Sequence, residues 1–229
     1  MSRRIIIAID GPAGAGKSTI ARNVAARLGF LYIDTGAMYR AIALWAARTG
    51  VAYEDMHRLE QLALQAEISF EPSTQRVTLN GEDVTDALRL PEMSAAASKV
   101  AAVPAVRRAL VEKQRQMSES SNIVMEGRDI GSVVFPDATV KIFLDAPSEV
   151  RARRRTRELA VTGRNVDSDS TVREMEERDR RDRTRAEAPL MQSPDAVYLD
   201  SGSLSIEDVE EAVLKIVRER TTNGKEYSH

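Results

Sequence analysis

An unbroken β-branched apolar run at residues 5–9 is followed by Asp10, Gly11 and Pro12 and by a Gly-rich stretch that ends at Lys17. A run without alternation predicts a strand buried on both faces, as in a parallel sheet, and a helix from about 17 to 28 follows it. Residues 31–33 predict a second short strand, and a helix runs from Gly36 through Trp45. Further buried strands are expected at 123–125, 140–144 and 196–199, with helices near 148–159, 171–185 and 206–220. Ser205-Ile-Glu-Asp208 predicts a capping box at the start of the last helix, with Asp in the usual Glu position. Buried strands alternating with helices imply an α/β fold: a doubly wound parallel sheet of about five strands.

Two stretches depart from that rhythm. Residues 67–70 and 77–79 alternate polar with apolar, and Asn80-Gly81 is a hairpin signal leading toward Asp83 and Val84, so a small antiparallel insert is expected. Residues 161–170 are polar and irregular between two Arg-rich helices and read as a mobile flap.

At 229 residues, with 33 basic and 35 acidic side chains, the chain is long enough for one large domain or a core with inserts. Its longest uncharged apolar runs, 5–9 and 41–47, fall far short of the roughly 18 residues of a membrane span. With no cysteine, disulfides, thiolate metal sites and Cys nucleophiles are excluded, and a reducing, cytoplasmic location is expected. Arginine outnumbers lysine 27 to 6, and 12 of those arginines lie between Arg151 and Arg185 beside eight acids. Such a stretch is either a solvated helical face laced with ion pairs or a set of planar forks for phosphate oxygens.

Gly11-Pro12-Ala13-Gly14-Ala15-Gly16-Lys17-Ser18 matches the phosphate-binding pattern G-x-x-x-x-G-K-[ST], placed after a buried strand and before a helix. Gly11, Gly14 and Gly16 let successive N–H groups turn inward, and the helix dipole adds to them. Lys17 supplies a movable charge for the β- and γ-phosphates, and the Ser18 hydroxyl suits Mg²⁺. None of the five Asn precedes Lys, so the guanine reader N-K-x-D is missing, as is the L-S-G-G-Q of transporter ATPases. A small phosphotransferase remains.

For the acceptor, Asp34-Thr35-Gly-Ala-Met-Tyr39-Arg40 stands at the carboxyl end of the second strand, where open α/β sheets place ligands. Thr35 is expected to cap the following helix and Arg40 to grip a phosphate. Glu126-Gly127-Arg128-Asp129 ends the next strand. Glu126 is expected to orient the water shell of the metal, with Asp145 as the rival acid.

These segments, together with Glu126-Gly-Arg-Asp-Ile-Gly-Ser-Val-Val-Phe-Pro136, Lys141-Ile-Phe-Leu-Asp-Ala146 and Arg178-Asp-Arg-Arg-Asp-Arg-Thr-Arg185, resemble the bacterial cytidylate kinases from about Ile5 to Val217. The resemblance implies a nucleoside-monophosphate kinase that transfers the γ-phosphoryl group of ATP to CMP, and to dCMP. It implies a P-loop core of 1–36, 109–152 and 186–229, a CMP-binding part of 37–108 with its insert at about 66–86, and an Arg-rich helical lid of 153–185. ATP is expected on Gly11 to Thr19 and Arg154, and the CMP phosphate on Thr35, Arg40 and Arg128. Cytosine is expected on Ser98, Arg107 and Asp129, and the ribose near Asp182, with Arg178 and Arg185 alongside. Lys17, Arg128, Arg178 and Arg185 are the expected catalytic groups. Ser18 stands where relatives often carry Gly and Thr35 where Ser is common, so Ser18 meets Mg²⁺ directly or through water.

An acceptor phosphate with a second pKa near 6 is largely dianionic at pH 7 and needs no general base. The histidines, His57 and His229, fit no such role. Arg153, Arg154, Arg155 and Arg157 are candidates to close over the triphosphate. An adenylate- or shikimate-type kinase is the nearest alternative; adenylate kinases lack the G-R-D block and the Asn80-Gly81 insert. A formal charge of −2 and 4% aromatic residues argue against nucleic-acid binding. A monomer is expected.

Overall fold

The computed structural model of the chain describes residues 4–71, 74, 76–161 and 168–223. The chain opens with β1 (Ile6–Asp10), α1 (Lys17–Leu28), β2 (Leu31–Asp34) and α2 (Thr35–Arg48). Helix α3 (Met56–Gln65) leads into β3 (Ile68–Phe70), β4 (Val77–Leu79) and β5 (Glu82–Asp83). Helices α4 (Thr85–Leu88), α5 (Pro91–Val100) and α6 (Pro104–Met117) carry it back to β6 (Ile123–Gly127). A π-helical turn (Ile130–Val134), β7 (Val140–Asp145), α7 (Ser148–Val161), α8 (Ser168–Thr184), β8 (Val197–Asp200) and α9 (Ile206–Asn223) complete it.

The main sheet is five-stranded and parallel throughout, in the order β2-β6-β1-β7-β8. All five expected strands are present. Ile7, Ile9, Val124, Ile142 and Leu144 pack on one face under α1 and α9, and Ala8, Ile33, Ile123 and Met125 on the other with Val111 of α6 and the π-helical turn. Burial of each large aliphatic side chain here stabilises by roughly 1.5–3 kcal/mol. A third cluster, built on Met38, Ile42, Leu59, Val100 and Leu110, joins α2, α3, α5 and α6 into a separate helical layer. That layer carries the acceptor side of the site.

The antiparallel insert is the three-stranded sheet β3-β4-β5, and Asn80 and Gly81, at φ 52° and 83°, form its turn. Positive φ at both central residues is what a type I′ hairpin requires. The capping box also forms: Ser205 Oγ accepts from Asp208 N at 3.1 Å, and Asp208 Oδ2 accepts from Ser205 N at 3.3 Å. Helices α4 to α6 are further elements beyond those expected; α5, with its Ala-rich stretch 95–97, gains its stability from packing in the cluster with α2. Residues 162–167, the middle of the expected flap, lie outside the described residues.

Gly11 shows how closely the phosphate loop sits on the sheet. Its φ is +150°, and a Cβ there would lie 1.9 Å from the backbone oxygen of Leu144 in β7. Gly11→Ala is therefore expected to lower the unfolding free energy by about 3 kcal/mol or more, read from the urea midpoint; an unchanged midpoint would show that the loop can lift off β7.

Candidate active site

The parallel sheet aims the carboxyl ends of β1, β2 and β6 at one crevice, the place where the strand order switches direction around β1. The loop from Gly11 to Gly16 fills its floor, with Gly14 and Gly16 at φ 75° and 93°. From outside, Arg151 Nη1 donates to Ala13 O at 3.0 Å, and Ser201 Oγ, itself held by Arg154, donates to Ala15 O at 3.1 Å. Lys17 opens α1, is buried, and turns its Nζ back onto Pro12 O at 2.6 Å. Ser18 and Thr19 beside it are exposed to the crevice.

Across the crevice Glu126 accepts from Tyr32 Oη at 2.5 Å and also from the Ser18 hydroxyl. Burial and the neighbouring Asp34 carboxylate push its pKa up. Asp145, the rival acid, accepts from Ala146 N with Oδ1 at 2.8 Å, whereas Glu126 meets the phosphate loop through Ser18. Thr35 does not cap α2. Asp34 does, accepting from Ala37 N at 3.0 Å, while Thr35 Oγ1 donates to Glu126 O at 2.7 Å. The reason is that the strand–helix junction comes one residue earlier than the pattern suggested, so the carboxylate reaches the free helix amides first. Gly127 makes room: a Cβ there would sit 2.8 Å from Thr35 Oγ1 and 2.6 Å from Ile130 Cδ1.

The arginines that were expected to bind phosphate are held in exchangeable pairs. Arg40 Nη2 lies 2.7 Å from Asp34 Oδ2, and Arg128 Nε lies 3.0 Å from Asp182 Oδ2. Arg178 projects into the same region from α8, and its Nε is buried with no partner among the described residues. Burial, together with Arg128, Arg40 and Arg155, brings the Arg178 pKa down to about 10. Burial, Arg128 and Arg178 bring Lys17 down to about 7 against the pull of Glu126 and Asp10. Asp182 runs the other way: burial opposes its charge, yet Arg128, Arg178 and Arg185 hold it below the carboxylate range. So much desolvated positive charge around one space is an anion site.

Beyond the arginines stands a second, buried group of paired charges. Arg107 Nη2 hydrogen-bonds Asp129 Oδ2, both groups are buried, and Arg185 Nη2 reaches Asp129 Oδ1 at 3.4 Å. Asp129 thus pairs with Arg107 and Arg185 rather than with Arg128. The Arg107 guanidinium lies 5.5 Å from the centre of the Tyr39 ring, whose hydroxyl is hydrogen-bonded to Gln114. Burial pushes the Tyr39 phenol up to about 12. Ser98 Oγ is buried without a partner among the described residues. Arg107, Asp129, Arg185 and Asp182 are therefore together.

Of the α7 arginines expected near the triphosphate, Arg154 lies against the phosphate loop, its Nη1 3.5 Å from Ala15 O. Arg154 donates to Ser201 O at 2.6 Å, Arg155 pairs with Glu158, and Arg153 and Arg157 are exposed on α7. Sequence reasoning missed four supports: Tyr32, Tyr39, Arg151 and Asp10. Arg151 is buried and joins α7 to α8 through Asp179 at 2.5 Å. Asp10, pushed up to about 6 by burial, accepts from Ile130 N and Gly131 N. No local signal marks these residues, because each acts on a partner distant in the chain.

The family model for cytidylate kinase matches residues 7–219. The chain belongs to the cytidylate kinase family. It is 60% identical over 228 residues to the cytidylate kinase of Solibacter usitatus, covering 99% of this chain and 97% of that one. To the cytidylate kinase of Pelotomaculum thermopropionicum it is 52% identical, covering 96% of each chain. A crystal structure of a gluconokinase from Sinorhizobium meliloti, 16% identical, superposes with a TM-score of 0.50 over 99% of this chain and 100% of that one, a likeness of fold alone. Membership of the cytidylate kinase family makes this chain a nucleoside-monophosphate kinase, a phosphotransferase. No helix among the described residues is long and apolar enough to cross a membrane.

Lys17→Met tests the phosphate site. Loss of the charge is expected to lower kcat by about 100-fold or more, the scale of a lost transition-state donor. Stability should move the opposite way. Because the folded pKa lies below the unfolded one, the charged lysine opposes folding fully below pH 7, and its effect fades as pH rises from about 7 to 10.5. The variant should therefore melt no lower than wild type at pH 6, with its relative advantage shrinking toward pH 10. A lower Tm for the variant at pH 6 would contradict the assignment.

Proposed function

We propose that the chain transfers the γ-phosphoryl group of ATP in line to the phosphate of CMP, and of dCMP, as a monomer in cytoplasmic pyrimidine nucleotide metabolism. The observation that carries this reading is the buried Arg107–Asp129 pair, joined through Arg185 to Asp182 and so to Arg128. A carboxylate accepts a hydrogen bond from the exocyclic N4 amino group of cytosine and meets the lone pairs of O4 in uracil. Arg107 donates toward N3 and O2, and Ser98 completes the edge. Asp182, at the join between base and phosphate groups, suits the ribose.

ATP lies along residues 11–19 with Arg154 at its side, and its β- and γ-phosphates draw Lys17 Nζ away from Pro12 O. Arg40 and Arg128 exchange Asp34 and Asp182 for the oxygens of the CMP phosphate, where Thr35 adds its hydroxyl. That phosphate is already dianionic, so no residue removes a proton. Lys17, Arg128, Arg178 and Arg185 cancel charge and hold the two phosphates in line. Closure of the lid region, 153–185, over them excludes water.

The donor set fits Mg²⁺. Among the described residues no three acids or histidines could cage a metal, yet the Ser18 hydroxyl lies on Glu126 with Asp34 nearby, a hard-oxygen face. Mg²⁺ bound to nucleotide phosphates uses only one or two protein oxygens and keeps its waters. Ser18 and Glu126 would hold it, directly or through water, and it would supply charge neutralisation at the β- and γ-oxygens.

Steady-state turnover with ATP and each nucleoside monophosphate tests the reading. CMP is expected to exceed AMP by a wide margin, and Asp129→Ala to lose roughly 1–3 kcal/mol of CMP over UMP discrimination in kcat/KM. An unchanged ratio removes Asp129 from the base edge.

A further inference from the structure

Asp10 is the last residue of β1, and the phosphate loop begins at the next position. Its side chain is buried and does not point along that loop. Its two oxygens accept from the backbone N–H groups of Ile130, at 2.8 Å, and Gly131, at 2.7 Å, some 120 residues further along the chain. A carboxylate that receives two amide protons in a desolvated place makes charge-assisted bonds and fixes the orientation of both peptides.

Those peptides follow Asp129 directly. The Asp129 carbonyl starts the π-helical turn, accepting from Val133 N at 2.9 Å and Val134 N at 3.2 Å, and its φ and ψ are −148° and 24°. The turn is gripped from the other side as well. A Cβ on Gly131 would lie 3.1 Å from the Lys141 side chain and 3.4 Å from Asp10 Oδ2, and Lys141 Nζ is itself bound to Pro136 O and Asp195. The backbone that aims the Asp129 side chain at Arg107 is thus clamped between β1 and β7.

We propose that Asp10 is a positioning residue for base selection: by holding the amides of Ile130 and Gly131 it sets the direction of the Asp129 carboxylate. The donor-site strand is thereby the anchor on which the acceptor base is read. This rests on Asp129 as the reader of the base edge.

The test is Asp10→Asn, an isosteric change that places an NH₂ group against one of the two backbone N–H donors. The ratio of kcat/KM for CMP to that for UMP is expected to fall about fivefold or more, mainly through a higher KM for CMP. A lower Tm with that ratio unchanged would overturn the proposal, since a purely structural role weakens both substrates alike. Asp129→Ala, measured in parallel, separates the two levels. If it collapses the ratio and Asp10→Asn does not, the role of Asp10 fails alone; if it leaves the ratio unchanged, the base-edge assignment fails and this inference with it. Should Asp10→Asn not fold, Asp10→Glu keeps the charge while moving both oxygens, and the same ratio decides.

Discussion

Positive charge held out of water is the constraint on which the site depends. Lys17, Arg128 and Arg178 are crowded into one partly enclosed space, and burial together with mutual repulsion lowers the affinity of Lys17 and Arg178 for their own protons. A fold tolerates this only with counter-charge close by. Asp34, Glu126 and Asp182 supply it on the acceptor side, each through a geometry that a phosphate oxygen could replace.

The rest of the architecture keeps those charges from collapsing onto one another. The parallel sheet brings the ends of β1, β2 and β6 into register, Asp34 beside Glu126 and Asp10 beside Gly127. Tyr32 and Thr35 fix Glu126 through its side chain and its carbonyl. Arg151 and Ser201 hold the outer carbonyls of the phosphate loop. These contacts are spent on orientation, and most join segments far apart in sequence.

The residues proposed to read the base come from a different layer from the phosphate loop. Arg107 belongs to α6 and Ser98 to α5, within the helical cluster, whereas Asp129 belongs to the sheet through its turn. The Arg107–Asp129 pair bridges the two layers, so a shift of one against the other would change the pocket before it changed the phosphate loop.

What the sequence determined was local. Five glycine- and strand-coded features (the buried run at 5–9, the phosphate loop, the Asn80-Gly81 turn, the Ser205 cap and the alternation of strands with helices) each depend on a few adjacent residues, and each is present. The resemblance also brought Arg107, Asp129 and Asp182 forward, and Arg185 joins them in space. Tertiary structure alone decided which partner each charge takes. Thr35 lost the cap to Asp34, Arg128 found Asp182, and Arg151 turned inward while Arg153 and Arg157 stayed outside. The side chains of one residue type are chemically alike along the sequence. Their roles diverge only when pairings across 50 to 120 residues, such as Arg128 with Asp182 or Asp10 with Ile130, set the distance and dielectric around each one.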